Sequence, residues 1–188
     1  MQRNASHCRA GKQCGLTLLN LLMSLALVAI ALTLGVPSFN TLSARSQQTA
    51  EINRFITHLQ LARSYAVKTG RDHVLCPSRD NRTCLDMPDW KQGYILFEDK
   101  DENGVRSATE LLVHVSRPTG KVGIEMQSTS GRNHVVYRAD GHSEGSNLTL
   151  TFCDPESDIP PKAVILSNTG RSRISNTRWD GSPLSCGH

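Results

Sequence analysis

Catalytic signatures are missing from this chain of 188 residues. It has no glycine-rich nucleotide loop and no serine in a Gly-x-Ser-x-Gly turn, so neither a phosphate cradle nor a nucleophile elbow is encoded. His142 and Ser143 stand near Asp140, but proximity in sequence is not a triad in space. There is no Cys-x-x-Cys pair, and beyond residue 15 the histidines at 58, 73, 114, 134, 142 and 188 are scattered rather than set at ligand spacing, which argues against zinc. Aromatic residues make up only 5% of the chain, leaving few rings on which bases could stack. Internal repeats and low-complexity tracts are also lacking. Together these absences point away from an enzyme and from any bound cofactor.

Charge of one sign is scarce as well. The formal net charge is +4, but Arg3, Arg9 and Lys12 lie in residues 1–15, and without those three the remainder carries only +1. Affinity for nucleic acid must therefore come from a local patch rather than from overall basicity.

What the chain does have is an unbroken apolar run over 16–36, placed directly after that basic, acid-free leader. At about 1.5 Å per residue such a helix spans roughly 30 Å, the thickness of a bilayer core. The basic leader stays cytoplasmic and the C-terminal part crosses the membrane. A secretory signal would place its cleavage site after the apolar core, and Gly35-Val36-Pro37-Ser38 is a poor version of one. A lipoprotein reading of Cys14 fails because that cysteine precedes the run. An uncleaved single-pass anchor is the plain alternative to processing at Gly15.

Beyond Pro37 the apolar spacing of Ile52, Phe55, Ile56, Leu59, Ala62 and Ala66 predicts that the helix continues over 37–70, amphipathic, with Gly70 as its stop. Gly35 and Pro37 between the two halves favour a kink or local melting. From 71 to 188 short apolar or alternating runs at 73–76, 94–98, 111–116, 122–127, 134–138, 147–153 and 163–167 are separated by Gly, Pro, Asn and Asp clusters, as expected of antiparallel hairpins. The fold class is α+β, a long N-terminal helix packed on a β-rich head. Of the six cysteines, Cys76, Cys84, Cys153 and Cys186 lie beyond the leader, an even number that suits two disulfides in an oxidising compartment. Three connectivities are open. We favour Cys76 with Cys84, which closes a short loop, and Cys153 with Cys186, which pins the tail to a late strand.

Gly15-Leu16-Thr17-Leu18-Leu19 followed by such a helix resembles the type III signal of type IV pilins and pseudopilins. That resemblance implies a prepilin peptidase that cuts after Gly15 and methylates the new N-terminus at Leu16. The family usually carries glutamate five residues after the cut, where this chain has Asn20, an acceptor without charge. Leu61-Ala62-Arg63-Ser64-Tyr65-Ala66, Val74-Leu75-Cys76-Pro77-Ser78, Asp89-Trp90-x-x-Gly93-Tyr94 and Gly170-Arg171-Ser172-Arg173 are similar to the GspH/FimT family of minor pilins and pseudopilins, and most like its FimT branch. The resemblance implies an inner-membrane subunit with a periplasmic head, incorporated into a filament. Its implied partners are other major and minor pilins, the peptidase, the assembly platform and the lipid bilayer. FimT-type minor pilins assist assembly of a type IV pilus and bind double-stranded DNA without sequence specificity in natural transformation. The alternative is a GspH-like pseudopilin of a type II secretion system with a purely assembly role.

Two constellations carry the expected chemistry. In Gly170-Arg171-Ser172-Arg173 a period of two puts both guanidiniums on one face, with Arg178 and Lys162 near in sequence, a set suited to phosphate oxygens. A solvated edge strand whose arginines discourage aggregation would look the same. Asp99, Asp101, Asn103, Gly104 and Glu110 have the spacing of a calcium loop, but strand-like flanks argue against an EF-hand, and an acidic hairpin turn explains the same residues.

Overall fold

The computed structural model describes residues 18–117, 124–129, 131–143 and 145–186, with the backbone alone over 33–38. The expected processing site at Gly15 and Leu16 lies outside the described residues. One helix, α1, runs Leu18–Thr69. It stays helical through Gly35 and Pro37, where a kink or local melting was expected, so the backbone does not melt there.

The chain divides into two units, 1–39 and 40–188. In the first, Leu18, Leu19, Leu21, Leu22, Met23, Leu25, Leu27, Val28, Ile30 and Leu32 are all exposed, so the helix is apolar around its whole circumference. Among the described residues no helix is long and apolar enough to cross a membrane. The expected span of 16–36 extends past the described side chains at both ends, and 18–32 alone falls short of the roughly 20 residues a crossing needs.

In the second unit the helix turns one stripe inward. Ile52, Phe55, Leu59, Ala62 and Ala66, three or four residues apart, are essentially inaccessible, while Ile56 is only partly covered. Gln48 extends the contact upstream, donating to the carbonyls of Phe152 and Pro160 at 3.1 Å each. Gly70 ends the helix at φ 65°, its N–H reaching Ala66 O at 3.0 Å.

Among the described residues eight strands follow: β1 His73–Pro77, β2 Tyr94–Glu98, β3 Leu112–Ser116, β4 Glu125–Ser128, β5 Val135–Tyr137, β6 Leu148–Cys153, β7 Lys162–Leu166 and β8 Ser172–Ser175. They form two antiparallel sheets, ordered β3-β2-β1-β5 and β4-β6-β7-β8. Phe55 lies at the centre of the main core, edge-on to Trp90 at 5.7 Å, Tyr94 at 5.4 Å and Phe152 at 6.2 Å between ring centroids. A second cluster of Val74, Cys76, Ile95 and Phe97 covers the far face of the first sheet, and the Cys76–Cys84 disulfide brings Cys84 onto it. The other disulfide, Cys153–Cys186, fastens the tail to the end of β6.

Candidate nucleic-acid interface

The arginine segment starts at a glycine that no other residue replaces without strain. Gly170 has φ 74°, and a Cβ there would stand 2.3 Å from the carbonyl oxygen of Gly141. Its own carbonyl accepts from the Tyr137 hydroxyl and from Arg63 Nη1 of the helix, both at 3.4 Å. The turn is closed by Gly170 N to Ser167 O at 2.9 Å and Ser167 N to Arg171 O at 3.0 Å, and Ser143 Oγ ties it down by donating to Ser167 O at 2.8 Å. The exposed segment that follows is therefore aimed by buried groups.

Strand register decides which side chains share a face. Val164 pairs with Ile174 and Leu150 on the core-facing set, whereas Ile165 pairs with Arg173 and Thr149 on the outward set. Alternation places Arg171 with Arg173, and both are exposed. Lys162 pairs with Phe152 and belongs to the opposite set, so the fold does not gather it with the two arginines. Among the described residues no ion pair engages Arg171, Arg173 or Arg178.

The tail crosses the same outward face on its way from β8 to Cys153. Thr177 bridges Pro183, and Arg178 lies in the turn between them, its N–H on Ser182 O at 2.9 Å and its Nη2 on Ser185 Oγ at 3.2 Å. Asp180, the acid nearest the arginines in sequence, accepts from the hydroxyl and N–H of Ser182, which hold its carboxyl below the usual range. Trp179, 72% exposed, lines one shallow cleft with Thr129, Arg132, Asn147, Thr149 and Ile165. Arg178, Trp179 and Asp180 line a second with Gln127, Thr149 and Thr151. Arg132, half-buried and donating to Gly145 O, joins this surface from far upstream, and no spacing in the sequence foretold it. Guanidiniums, hydroxyls and one open indole make a surface suited to a phosphate backbone with occasional stacking.

The acidic turn lies apart, between β2 and β3. Carboxylate oxygens of Asp99, Asp101 and Glu110 fall within 4.8 Å of one another, and Asp99 Oδ2 accepts from Gly104 N at 2.8 Å.

Residues 51–170 match the family model of the type II transport protein GspH. The chain belongs to the GspH family. Membership makes it an assembly subunit of the pilin and pseudopilin kind rather than an enzyme. The match ends at Gly170, one residue before Arg171. Its fold is similar to that of the type IV minor pilin FimU of Pseudomonas aeruginosa in two crystal forms. One is 18% identical, covering 71% of this chain and 92% of that one, with a TM-score of 0.56. The other is 19% identical, covering 68% and 91%, with a TM-score of 0.50. The minor pseudopilin EpsH of the Vibrio cholerae type 2 secretion system is 15% identical, covering 70% and 95%, with a TM-score of 0.45. No curated protein matches the chain by sequence.

Proposed function

We propose that this GspH-family subunit is a minor pilin of a type IV pilus. It assists assembly and captures extracellular double-stranded DNA for uptake in natural transformation, through Arg171 and Arg173 aided by Arg178. The observation that carries this reading is the pair of outward guanidiniums with no carboxylate partner, on an edge strand whose hairpin is fixed by buried contacts to Gly170. A guanidinium offers paired donors to phosphate oxygens, and unpaired ones need shed no internal partner to do so. Lys162, on the other set, contributes only at longer range. The apolar circumference of α1 over 18–32 supports anchoring in the inner membrane with the head in the periplasm. Prepilin peptidase cleavage after Gly15, methylation of Leu16 and extraction by the assembly platform into a filament of other pilins belong to the same reading.

The test is fluorescence anisotropy of labelled duplex DNA with the unit from Asn40 onward, which keeps the packed Ala44 and Gln48, over a series of salt concentrations. Engaging two or three phosphates gives a log-log salt slope of about −2 to −3. Each replacement of Arg171 or Arg173 by Gln makes that slope shallower by about one, because one phosphate is no longer neutralised. The match to a type II transport protein favours one second reading, a pseudopilin with a purely assembly role in type II secretion. No binding at low salt by the folded, disulfide-bonded protein selects that reading.

A further inference from the structure

We propose that the turn between β2 and β3 is a calcium site, formed by Asp99, Asp101, Asn103 and Glu110. Three carboxylate oxygens, one each from Asp99, Asp101 and Glu110, lie within 4.8 Å of one another. A solvated acidic turn would explain that proximity if the acids faced water, but two do not: Asp99 is 3% exposed and Glu110 4% exposed. Asp99 Oδ1 is fully buried with no hydrogen-bond partner among the described residues. A buried carboxylate oxygen without donor or cation is costly, because desolvation is not offset by any contact.

Among the described residues no ion pair engages Asp99, Asp101 or Glu110. Arg106 is the guanidinium of this turn, and it donates to the carbonyls of Arg82 and Glu110 rather than to a carboxylate. Backbone N–H groups instead fix the acids in place: Gly104 N on Asp99 Oδ2 at 2.8 Å, Lys100 N on Glu110 Oε1 at 2.9 Å and Ser107 N on Glu110 Oε2 at 2.7 Å. A carboxylate oxygen that accepts one such bond still has a lone pair for a metal. Asp101 and Asn103 bond to each other across the rim at 2.7 Å.

The ligand chemistry selects the ion. All the donors are hard oxygens, and no sulfur or imidazole belongs to the cluster, which excludes soft metals. Calcium takes six to eight such oxygens at positions 1, 3, 5, 7 and 12 of a loop with glycine at 6, and Asp99, Asp101, Asn103, Val105, Glu110 and Gly104 occupy those places. Here strands rather than helices flank the loop. Binding therefore stiffens a hairpin and opens no groove. Extracellular modules of this kind bind with Kd of about 10⁻⁴ to 10⁻³ M, so the site fills on the outer side of the membrane.

The experiment is thermal unfolding of the full chain in detergent micelles, in EDTA, in 1 mM calcium and in 1 mM magnesium. A site of about 0.1 mM affinity raises Tm by roughly 3–6 °C in calcium. Magnesium, which demands tighter octahedral geometry, gives less than half of that. Asp101→Asn changes an exposed rim residue without touching the core, and should remove most of the rise. Asp99→Asn, which retains an acceptor for Gly104, should abolish the rise and increase Tm in EDTA by relieving repulsion. Equal Tm in EDTA and 10 mM calcium overturns the proposal. So does an equal rise in magnesium, or a full rise in the Asp101→Asn variant.

Discussion

The two sheets of the head are built alike and used differently. In the first, every residue of β1 and β2 is buried, because the helix covers one face and the cluster around Cys76 and Phe97 covers the other. In the second, β6 is buried throughout but β8 is half open, with Arg173 and Ile174 exposed. A strand covered on both faces is specified by near-continuous apolar sequence and has no side chain to spare for a ligand. A strand covered on one face can carry arginines at every second position without disturbing the core. The chemistry of the head has accordingly gone to the outward side of the second sheet and to the turn between β2 and β3, the places the core leaves uncommitted.

Breaking the shared core should have the largest effect. Phe55→Ala removes the ring that meets Trp90, Tyr94 and Phe152, and we expect a loss of about 3–5 kcal/mol in denaturant unfolding. Next comes the tail. The Cys153–Cys186 disulfide spans 33 residues, and replacing both cysteines with Ser should cost about 3–4 kcal/mol by chain entropy. It should also weaken DNA binding, since the bond holds Arg178 and Trp179 across the outer face. Gly170→Ala is smaller, about 1–3 kcal/mol, because the new methyl meets Gly141 O at a left-handed φ. The outward arginines should show the reverse pattern. Arg171→Gln with Arg173→Gln should leave unfolding within about 0.5 kcal/mol of the parent while lowering DNA affinity roughly tenfold for each arginine, measured by anisotropy at low salt.

Those contrasts track what the sequence could disclose. The stripe from Ile52 to Ala66 has the period of a helix, and burial follows it closely, because a long amphipathic segment carries its own evidence. The strands β1 to β7 were legible to within a few residues, whereas β8, Ser172–Ser175, was not among the expected runs. β4 lies at Glu125–Ser128 where 122–127 was expected, and β5 is Val135–Tyr137, shorter than 134–138. The split into two sheets was not legible, since pairing partners such as β1 with β5 are set by packing on the helix rather than by local pattern. Within the site, period two gave the common face of Arg171 and Arg173. Closeness in sequence misplaced Lys162, which sits at a register of opposite parity. Arg132 carried no signal at all, because only the tail crossing fixed by Cys186 makes the surface near Thr149 a cleft. The acidic spacing was visible, but burial of Asp99 and Glu110, which separates a site from a solvated turn, belongs to the folded state alone.

The smallest predicted effect is one of pH, and it sharpens the same comparison. His58 on the helix faces the first sheet, 4.2 Å from the His114 ring between centroids, with Nδ1 2.7 Å from the Tyr94 hydroxyl. Burial, then His114 and then Arg54, lower its pKa to about 4. Burial pushes the Tyr94 phenol up to about 12, so that hydroxyl stays protonated and can donate to Nδ1 of the imidazole tautomer that carries its proton on Nε2. Protonating Nδ1 reverses the bond, so that the Tyr94 oxygen accepts, and the cost is that of a charge held in a half-buried site beside His114 and Arg54. Between about 4 and the ordinary 6.5, the unfolded chain therefore binds the proton that folded His58 refuses, and stability rises with pH across that window. Tm should fall on acidification from pH 6.5 to 4, and His58→Gln, which keeps an acceptor for Tyr94 but has no proton to take up, should flatten the fall. His114, lowered by burial and then Arg54, and His134, lowered by burial and then Arg132, add slope of the same sign. DNA affinity of the folded protein should stay level between pH 6.5 and 5.5 while its Tm declines. A parallel decline in both would mean that the open face depends on the helix side of the first sheet, and that the two sheets are less independent than their burial indicates.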